Sequence, residues 1–257
     1  MTNVDRVNLA REVAIVTGAG AGIGAQCAAE LARRGARVLV TDIDGAAARA
    51  VAEDIGAAAR HRQLDVTDPG SVAEAMDDIR NTWGDLTVAV NNAGVGVPVP
   101  LRLHDIEDSE WRRVLDVNLD GAFNCVRAQL AAMMQAPKRE DGTRGSIVMM
   151  GSIGSLVGLP CASAYVTAKH GLLGMTKAIA IDYATEGIRA NLVAPGYVDT
   201  AISRRSASTK AALAAKHPIY RMAEADEISG IVCFLASPES VFVTGSHIAV
   251  DGGYTAQ

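Results

Sequence analysis

The chain has 257 residues, 49% hydrophobic and 21% charged, enough to bury a large core and too apolar for a disordered segment. A net charge of −5 argues against a nucleic-acid-binding surface, which is normally strongly basic. No uncharged apolar run is long enough to span a membrane, no secretory signal is seen, and the four cysteines lack a CxxC pair. We therefore expect a cytoplasmic protein with no membrane partner, no metal site and buried free thiols.

Apolar, β-branched runs alternate with helix-length segments along the first ninety residues. The hydrophobic pattern predicts strands at residues 13–17, 37–41, 61–66 and 86–90, and helices at residues 25–34, 46–55 and 69–82. Asp68 followed by Pro69 is a favourable N-cap and first-turn pair for the third helix. The strand at 86–90 is almost entirely apolar, as expected for a strand buried on both faces.

The same alternation continues to the end of the chain. We predict helices at residues 109–135, 163–186 and 224–236, and strands at residues 146–150, 188–194 and 247–250. Asn118 lies inside the first of these helices, where asparagine is a poor helix former, so we expect a kink or a bound water there. The whole pattern predicts one α/β domain over residues 1–257, with a Rossmann-type doubly wound parallel sheet of about seven strands.

A glycine-rich turn, TGAGAGIG at residues 17–24, joins the first strand to the first helix. Glycines there let backbone N–H groups approach a pyrophosphate, and the positive end of the helix stabilises the anion. The spacing of Gly18, Gly22 and Gly24 departs from the GxGxxG pattern, because Ile23 stands where its last glycine is required. By itself the turn is weak evidence for nucleotide binding, and a tight structural turn is the alternative.

One acidic residue, Asp42, follows the second predicted strand, and another, Asp65, lies at the end of the third. Asp42 can accept hydrogen bonds from both hydroxyls of an adenosine ribose and would repel a 2′-phosphate, which predicts NAD rather than NADP. The alternative role for Asp42 is to cap the following helix. Asp65 can lie near an adenine amine, or it can serve as a turn residue ahead of Thr67.

Tyr165 and Lys169 are four residues apart in a predicted helix, so they share one face. Lowering a phenol pKa from about 10 to about 7 requires about 4 kcal/mol. One cation about 4 Å away supplies about that much at an effective dielectric of about 20. Ser152 follows the strand at 146–150 and can reach the same substrate oxygen. Tyr and Lys at this spacing also occur on ordinary helices, so the pair alone does not establish a catalytic site.

Five motifs in order resemble the classical short-chain dehydrogenase/reductase family. They are the glycine turn, the NNAG run at residues 91–94, Asn118 in VNLDG, Ser152 with the Tyr165-x-x-x-Lys169 pair, and PGYVDT at residues 195–200. The resemblance covers nearly the whole chain, from Glu12 to Gly253. GxxxGxG is that family's own form of the glycine turn, which accounts for the departure from GxGxxG.

The resemblance implies roles for four catalytic residues. Tyr165 would be the acid/base, and Lys169 would lower its pKa and bind the nicotinamide ribose. Ser152 would orient the substrate oxygen, and Asn118 would hold a water in a proton relay to Lys169.

The resemblance also implies a homotetramer built through the helices at 109–135 and 163–186, while Asp42 predicts NAD and the cysteine and histidine spacing predicts no metal. We expect the cofactor to be bound by the residues that the resemblance implies and by Asp42 with its neighbour Ile43. The full set is Gly18, Ala21, Gly22, Ile23, Gly24, Asp42, Ile43, Asp65, Val66, Asn92, Ala93, Gly94, Tyr165, Lys169, Pro195, Gly196, Val198 and Thr200.

Substrate choice is expected to reside in residues 95–103, 153–161 and 197–218, the last resembling the family's mobile lid at about 200–218. Pocket walls formed by Val95, Leu159, Tyr197 and Ile202 would favour a partly apolar alcohol or ketone. Between Thr200 and Ala223 the chain carries five cations and no acidic residue, which predicts either an attraction for anionic substrates or a solvated lid surface. These cations are Arg204, Arg205, Lys210, Lys216 and Arg221.

The expected function is NAD-dependent hydride transfer between nicotinamide and a secondary alcohol or ketone. A 3-oxoacyl thioester reductase is the close alternative, but that activity usually goes with NADPH, and Asp42 argues against it. A non-catalytic cofactor-binding scaffold is less consistent with the complete set of Asn118, Ser152, Tyr165 and Lys169.

Overall fold

A seven-stranded parallel sheet forms the centre of the molecule. The structure is a computed structural model and describes residues 7–200 and 206–257. In chain order the strands are β1 Val13–Val16, β2 Arg37–Asp42, β3 Ala59–Gln63, β4 Val88–Asn91, β5 Gly145–Met150, β6 Ile188–Pro195, β7 Val198–Asp199, β8 Ala223–Glu224 and β9 His247–Val250. The main sheet has the order β3-β2-β1-β4-β5-β6-β9, and β7 pairs separately with β8. The predicted fold class is confirmed.

Helices cover both faces of this sheet. They are α1 Gly22–Arg33, α2 Gly45–Ile55, α3 Pro69–Trp83, α4 Asp108–Leu115, α5 Gly121–Gln135, α6 Ser163–Asp182, α7 Ala207–Ala214 and α8 Ala225–Ala236. Alternate residues of β1 enter the two cores: Ala14 and Val16 pack with α1 and α8, while Ile15 packs with α3 and α5. Burial on both faces explains why these strands read as continuous apolar runs.

Local sequence signals set several helix ends. The Asp68 carboxylate accepts a hydrogen bond from the Gly70 amide, and Pro69 occupies the first turn of α3, as predicted. Asp44 caps α2 by accepting from the amides of Ala46 and Ala47. Each of these caps satisfies backbone N–H groups that the helix itself leaves without acceptors.

The strand order places the site. The chain moves outward from β1 to β2 and β3, then returns to β4 on the other side of β1. The loops after β1 and β4 therefore diverge at the carboxyl edge, which leaves a crevice where doubly wound sheets bind ligands. The glycine turn follows β1, Asn92 follows β4 and Ser152 follows β5, so all three lie at this edge.

One strand boundary differs from the prediction. The third strand was expected at residues 61–66 and occupies Ala59–Gln63 instead. Leu64 and Val66, which supplied the apolar signal, lie beyond the ladder and are buried in the core. Burial outside the sheet therefore imitated a strand pattern, whereas the true edge strand is polar.

The helix boundaries differ at three places. The helix predicted at residues 109–135 is divided into α4 and α5 by a π-helical turn at Asp116–Asp120. The helix predicted at 163–186 ends as α6 at Asp182 and is followed by a 3₁₀ turn. The helix α7 was not predicted, because it buries none of its residues and so has no apolar periodicity.

Within the described ranges, no helix is both long enough and apolar enough to cross a bilayer. The same part of the chain holds no group of three His, Cys, Asp or Glu side chains arranged to bind a metal ion.

Candidate active site

The glycine turn is packed so closely that side chains are excluded. A Cβ added to Gly24 would lie 2.3 Å from the Gly18 carbonyl oxygen, and one added to Gly18 would lie 2.7 Å from the Ala93 Cα. Gly18 and Gly22 adopt positive φ angles of 62° and 59°. No side chain caps α1, whose N-cap is Ala21, so its first amides face the crevice as potential donors to an anion.

Asn92 fastens the loop after β4 to the glycine turn. Its Nδ2 donates to the carbonyl oxygens of Thr17 at 3.0 Å and Gly18 at 2.8 Å. In return, the Thr17 hydroxyl accepts from the amides of Asn92 and Ala93, both at 3.1 Å. The turn is therefore braced on both sides by polar contacts to main chain.

Asp42 ends β2 beside the glycine turn. Its Oδ2 accepts from the Gly20 amide at 2.9 Å, and its Oδ1 accepts from the Asp44 amide at 3.0 Å. The alternative role of capping the next helix is filled by Asp44 instead. The neighbouring Ile43 side chain is exposed. Asp42 thus presents its carboxylate at the rim of the turn, where a ribose hydroxyl would lie.

Asp65 and Val66 lie in the loop after β3. The Asp65 carboxylate accepts from both the amide and the hydroxyl of Thr67, at 2.9 and 2.7 Å, so it does act as a turn residue. Val66 is buried, and its carbonyl accepts from Asn124 Nδ2 at 3.1 Å. Their contact with adenine stays a prediction.

Tyr165 and Lys169 share one face of α6, as their spacing predicts. The Lys169 Nζ lies 5.6 Å from the centroid of the Tyr165 ring and donates to the Met150 carbonyl at 2.8 Å. Ser152 caps the 3₁₀ turn Ile153–Ser155, and its side chain acts on Tyr165 to lower the pKa of the phenol. Three side chains predicted to act together are therefore in one place.

The ionisation of this cluster is governed by burial. Burial raises the pKa of Tyr165 above its ordinary value, and the hydrogen bond with Ser152 opposes that shift. Burial also lowers the pKa of Lys169 to about 8. The direction for Tyr165 is the reverse of the expected lowering by Lys169, because removing a phenolate from water is the larger effect here.

Asn118 lies in the π-helical turn between α4 and α5, which confirms the expected local distortion. Its side chain pairs with the Val95 backbone, accepting from the amide and donating to the carbonyl, both at 2.8 Å. A Cβ added to Gly94 would lie 2.5 Å from Asn118 Oδ1 and 3.6 Å from Lys169 Nζ, so both groups face this glycine. The water relay through Asn118 stays a prediction.

Asn118, Ser152, Tyr165 and Lys169 line a cavity of about 610 Å³. Other predicted site residues that line it are Ile23, Asn92, Gly94, Pro195, Gly196, Val198 and Thr200. The predicted walls Val95, Leu159 and Tyr197 also line it, whereas Ile202 falls outside the described residues. The cavity thus reaches from the start of α1 to the segment after β6.

A buried histidine near the cavity escaped sequence reasoning. His217 Nε2 accepts from the Tyr197 amide at 3.1 Å, and its Nδ1 lies 3.1 Å from the Leu213 carbonyl oxygen. The ring packs edge-on against Tyr197 and Tyr254. The sequence holds no local signal for this cluster, since its members come from three separate segments.

Comparisons with known proteins agree with this geometry. The family model described as Enoyl-(Acyl carrier protein) reductase matches residues 18–255. The chain is 43% identical to cis-4-hydroxycyclohexanecarboxylate dehydrogenase of Sinomonas cyclohexanicum, over 96% of this chain and 98% of that protein. It is 36% identical to the 3-oxoacyl-(acyl-carrier-protein) reductase FabG of Escherichia coli (strain K12), again over 96% and 98%.

A solved structure supports the same conclusion. A short-chain type dehydrogenase/reductase from Mycobacterium marinum superposes with a TM-score of 0.90 and 33% identity, covering 97% of this chain and 98% of that one. The cavity, the glycine turn and the Ser152, Tyr165 and Lys169 cluster occur together at the carboxyl edge of the sheet. The chain therefore belongs to the short-chain dehydrogenase/reductase family and is an oxidoreductase that acts on secondary alcohols or their ketones with a nicotinamide cofactor.

Proposed function

We propose that this enzyme interconverts a cyclic secondary alcohol and its ketone with NAD, using Tyr165 as the acid/base. The observation that carries the proposal is the convergence of Ser152, Tyr165 and Lys169 on one cavity that begins at the glycine turn. The ring is inferred from the relative that acts on a hydroxycyclohexanecarboxylate and from apolar walls such as Val95 and Leu159.

Each catalytic side chain has a role in this proposal. Bound NAD supplies the acceptor for the hydride that leaves the carbinol carbon. Tyr165 takes the hydroxyl proton as the C=O bond forms, and Ser152 holds the same oxygen. Lys169 binds the nicotinamide ribose and stabilises the phenolate, while Asn118 keeps Val95 in place and holds the relay water. In the reverse direction, Tyr165 returns the proton to the ketone oxygen.

The cofactor would occupy the crevice between the loops after β1 and β4. Its pyrophosphate would meet the amides at the start of α1, and its nicotinamide would lie near Tyr165. The residues proposed to hold it, besides Tyr165 and Lys169, are Gly18, Ala21, Gly22, Ile23, Gly24, Asp42, Ile43, Asp65, Val66, Asn92, Ala93, Gly94, Pro195, Gly196, Val198 and Thr200.

The preference for NAD rests on Asp42. Its carboxylate is held at the rim of the turn by the amides of Gly20 and Asp44, so it cannot easily swing away from an added 2′-phosphate. We expect kcat/KM to be at least tenfold higher with NAD than with NADP, and Asp42→Ser to narrow that ratio. Equal turnover of the two cofactors by the unaltered enzyme would contradict the proposal.

Replacement of Tyr165 tests the assigned chemistry. Tyr165→Phe should lower kcat for cyclohexanol oxidation by about 10²–10⁴, the usual contribution of general acid/base catalysis. Tyr183→Phe, at the C-terminal end of α6, is the matched control and should keep its activity. Undiminished turnover by the Tyr165 variant would reject this residue as the base.

Reduction of a 3-oxoacyl thioester is the second candidate, favoured by the similarity to FabG. This function predicts that the enzyme oxidises NADPH in the presence of acetoacetyl-CoA faster than it reduces NAD in the presence of cyclohexanol. The carboxylate of Asp42 argues against it for the reason given above. A direct comparison of the two assays distinguishes these functions.

We further propose a cytoplasmic homotetramer with a lid at about residues 200–218. The exposed Phe123 on α5 and Ile181 on α6, the latter 79% exposed, support contact between copies through these helices. Cys27 and Cys233 lie close together in the core as free thiols, which suits a reducing compartment. Light scattering tests the assembly, and a monomeric mass would contradict it.

A further inference from the structure

The cavity is lined by two ammonium groups and, within the described residues, by no carboxylate. The two are Lys169, which is buried beside Tyr165, and Lys216, which follows α7. We propose that Lys216 forms a carboxylate-binding subsite and that the substrate is a hydroxy acid with its carboxylate across the ring from the reacting carbinol. This inference rests on the proposed dehydrogenase activity and specifies its substrate class.

Lys216 differs from the other described cations of its segment. The Lys210 ammonium pairs with Asp199 at 2.7 Å, and the Arg221 guanidinium pairs with Glu227 at 2.6 Å. The pairing with Arg221 lowers the pKa of Glu227 to about 2. Among residues 7–200 and 206–257, no carboxylate lies within ion-pairing distance of Lys216. Its charge is therefore available to a ligand.

Tyr197 connects Lys216 with the reacting centre. The Lys216 Nζ lies 5.4 Å from the centroid of the Tyr197 ring, which fixes the ammonium over an aromatic face. Tyr197 and Tyr165 line the same cavity. The Tyr197 amide is itself fixed by His217. Tyr165 and Lys216 therefore line one cavity, and the proposal assigns the carbinol of the substrate to Tyr165 and its carboxylate to Lys216.

The chemistry of the cavity selects a monovalent acid with an apolar body. A lone ammonium supplies three donors and one charge, which suits a carboxylate. The walls of the same cavity include Val95, Ile153, Leu159 and Leu213, which suit a hydrocarbon ring. Without a carboxylate in the described lining, the cavity offers no opposite charge to a substrate amine.

The test compares an acid with its neutral ester in the intact enzyme. NAD-dependent oxidation of 4-hydroxycyclohexanecarboxylate, its methyl ester and cyclohexanol is measured for the unaltered enzyme, Lys216→Gln, Lys216→Arg and Lys210→Gln. The readout is the acid-to-ester ratio of kcat/KM. We expect this ratio to be about tenfold or more for the unaltered enzyme, a common value for one charge-assisted hydrogen bond.

Lys216→Gln should bring the acid-to-ester ratio of kcat/KM close to one, because KM for the acid rises while kcat stays nearly constant. Lys216→Arg, which keeps the positive charge, should retain much of the preference for the acid. Lys210→Gln, a lysine of the same segment that lies outside the cavity lining, should keep it. Cyclohexanecarboxylate should also compete with cyclohexanol more strongly than the corresponding amide does, and only while residue 216 is basic.

Two outcomes overturn the subsite and leave the proposed function standing. One is an unaltered enzyme that prefers the ester, and the other is a Lys216→Gln variant that keeps the preference for the acid. Failure to oxidise any of the three alcohols would overturn the proposed function and, with it, this inference.

Discussion

The two ends of the cavity are built in different ways. At the cofactor end, the turn of residues 17–24 is braced by Asn92, which donates to its carbonyl oxygens, and by Asp42, which accepts from its Gly20 amide. At the substrate end, the described residues 196–200 and 206–222 include a two-residue strand and α7, a helix with no buried residue. Ion pairs of Lys210 and Arg221 and the ring of His217 hold this segment.

This difference separates the tasks of the site. Close backbone packing of the glycine turn would give a bound cofactor one fixed position, which hydride transfer requires. A segment held by a few surface ion pairs and one imidazole is expected to have lower local stability, which would let it act as the proposed lid. Changes at the cofactor end should therefore be severe, and changes at the substrate end should be selective.

The largest effect is expected from Gly24→Ala. Its Cβ would lie 2.3 Å from the Gly18 carbonyl oxygen and 2.5 Å from Asn92 Nδ2, so the turn must open. We expect cofactor affinity to fall at least a hundredfold and the free energy of unfolding to fall by about 1–3 kcal/mol, as for other overpacked sites. Fluorescence titration with NADH and urea unfolding measure these quantities.

Gly230→Ala is the control, because an added Cβ on this α8 glycine meets nothing within 4 Å. It should gain up to about 1 kcal/mol of stability from better helix propensity. Equal cofactor affinity in the two variants would show that the glycine turn is not tightly constrained.

The next effect concerns the pH dependence of stability. Burial lowers the pKa of Lys169 to about 8, so above that pH the folded state has released a proton that the unfolded state still holds. Stability from this group therefore rises with pH above about 8, by up to about 1 kcal/mol per pH unit, and its total cost near neutral pH is about 3 kcal/mol.

Lys169→Met should lack this rise. Urea unfolding at pH 7, 8, 9 and 10 measures the difference between the two proteins, which isolates the contribution of residue 169. The series stops at pH 10 because burial lowers the pKa of Arg189 to about 10 and raises that of Tyr165. Parallel stability curves for the two proteins would contradict the shifted pKa of Lys169.

Asn118→Ala should have a moderate effect at the junction of the two ends. It removes two hydrogen bonds to the Val95 backbone, each contributing about 1 kcal/mol. We expect kcat to fall about tenfold as residues 94–96 lose their anchor, with hydrogen exchange of the Val95 amide accelerated. Asn124→Ala, which removes one hydrogen bond to Val66, is the control and should leave kcat within about twofold.

The smallest effect is expected from His217→Ala, which removes the hydrogen bond from the Tyr197 amide to the imidazole that follows α7. KM for the alcohol should rise severalfold, while NADH affinity and the global free energy of unfolding change little. His61→Ala, on the exposed edge strand β3, is the control. A loss of NADH affinity as large as the change in KM would show that the two ends are not independent.

Much of this molecule was predictable because its signals are local. The alternation of apolar runs and amphipathic helices gave the parallel sheet, and the i, i+4 spacing placed Tyr165 and Lys169 on one face of α6. Asp68 with Pro69 marked the start of α3. Predicted strand boundaries were wrong where residues are buried without belonging to the hydrogen-bonded strand. Leu64 and Val66 are examples, since both are buried beyond the end of β3.

By itself, the sequence determined the fold class and the placement of Tyr165 and Lys169 on one face of α6, since these depend on local apolar patterns and on residues one helical turn apart. The roles of the glycine turn and of Tyr165 stay predictions. Only the tertiary structure decided that Asp44 caps α2 and that Asn118 braces Val95. It also decided which lysine of the basic segment faces the cavity without a carboxylate partner. Desolvation likewise set the direction of the Tyr165 pKa, because burial is a property of the whole packed chain.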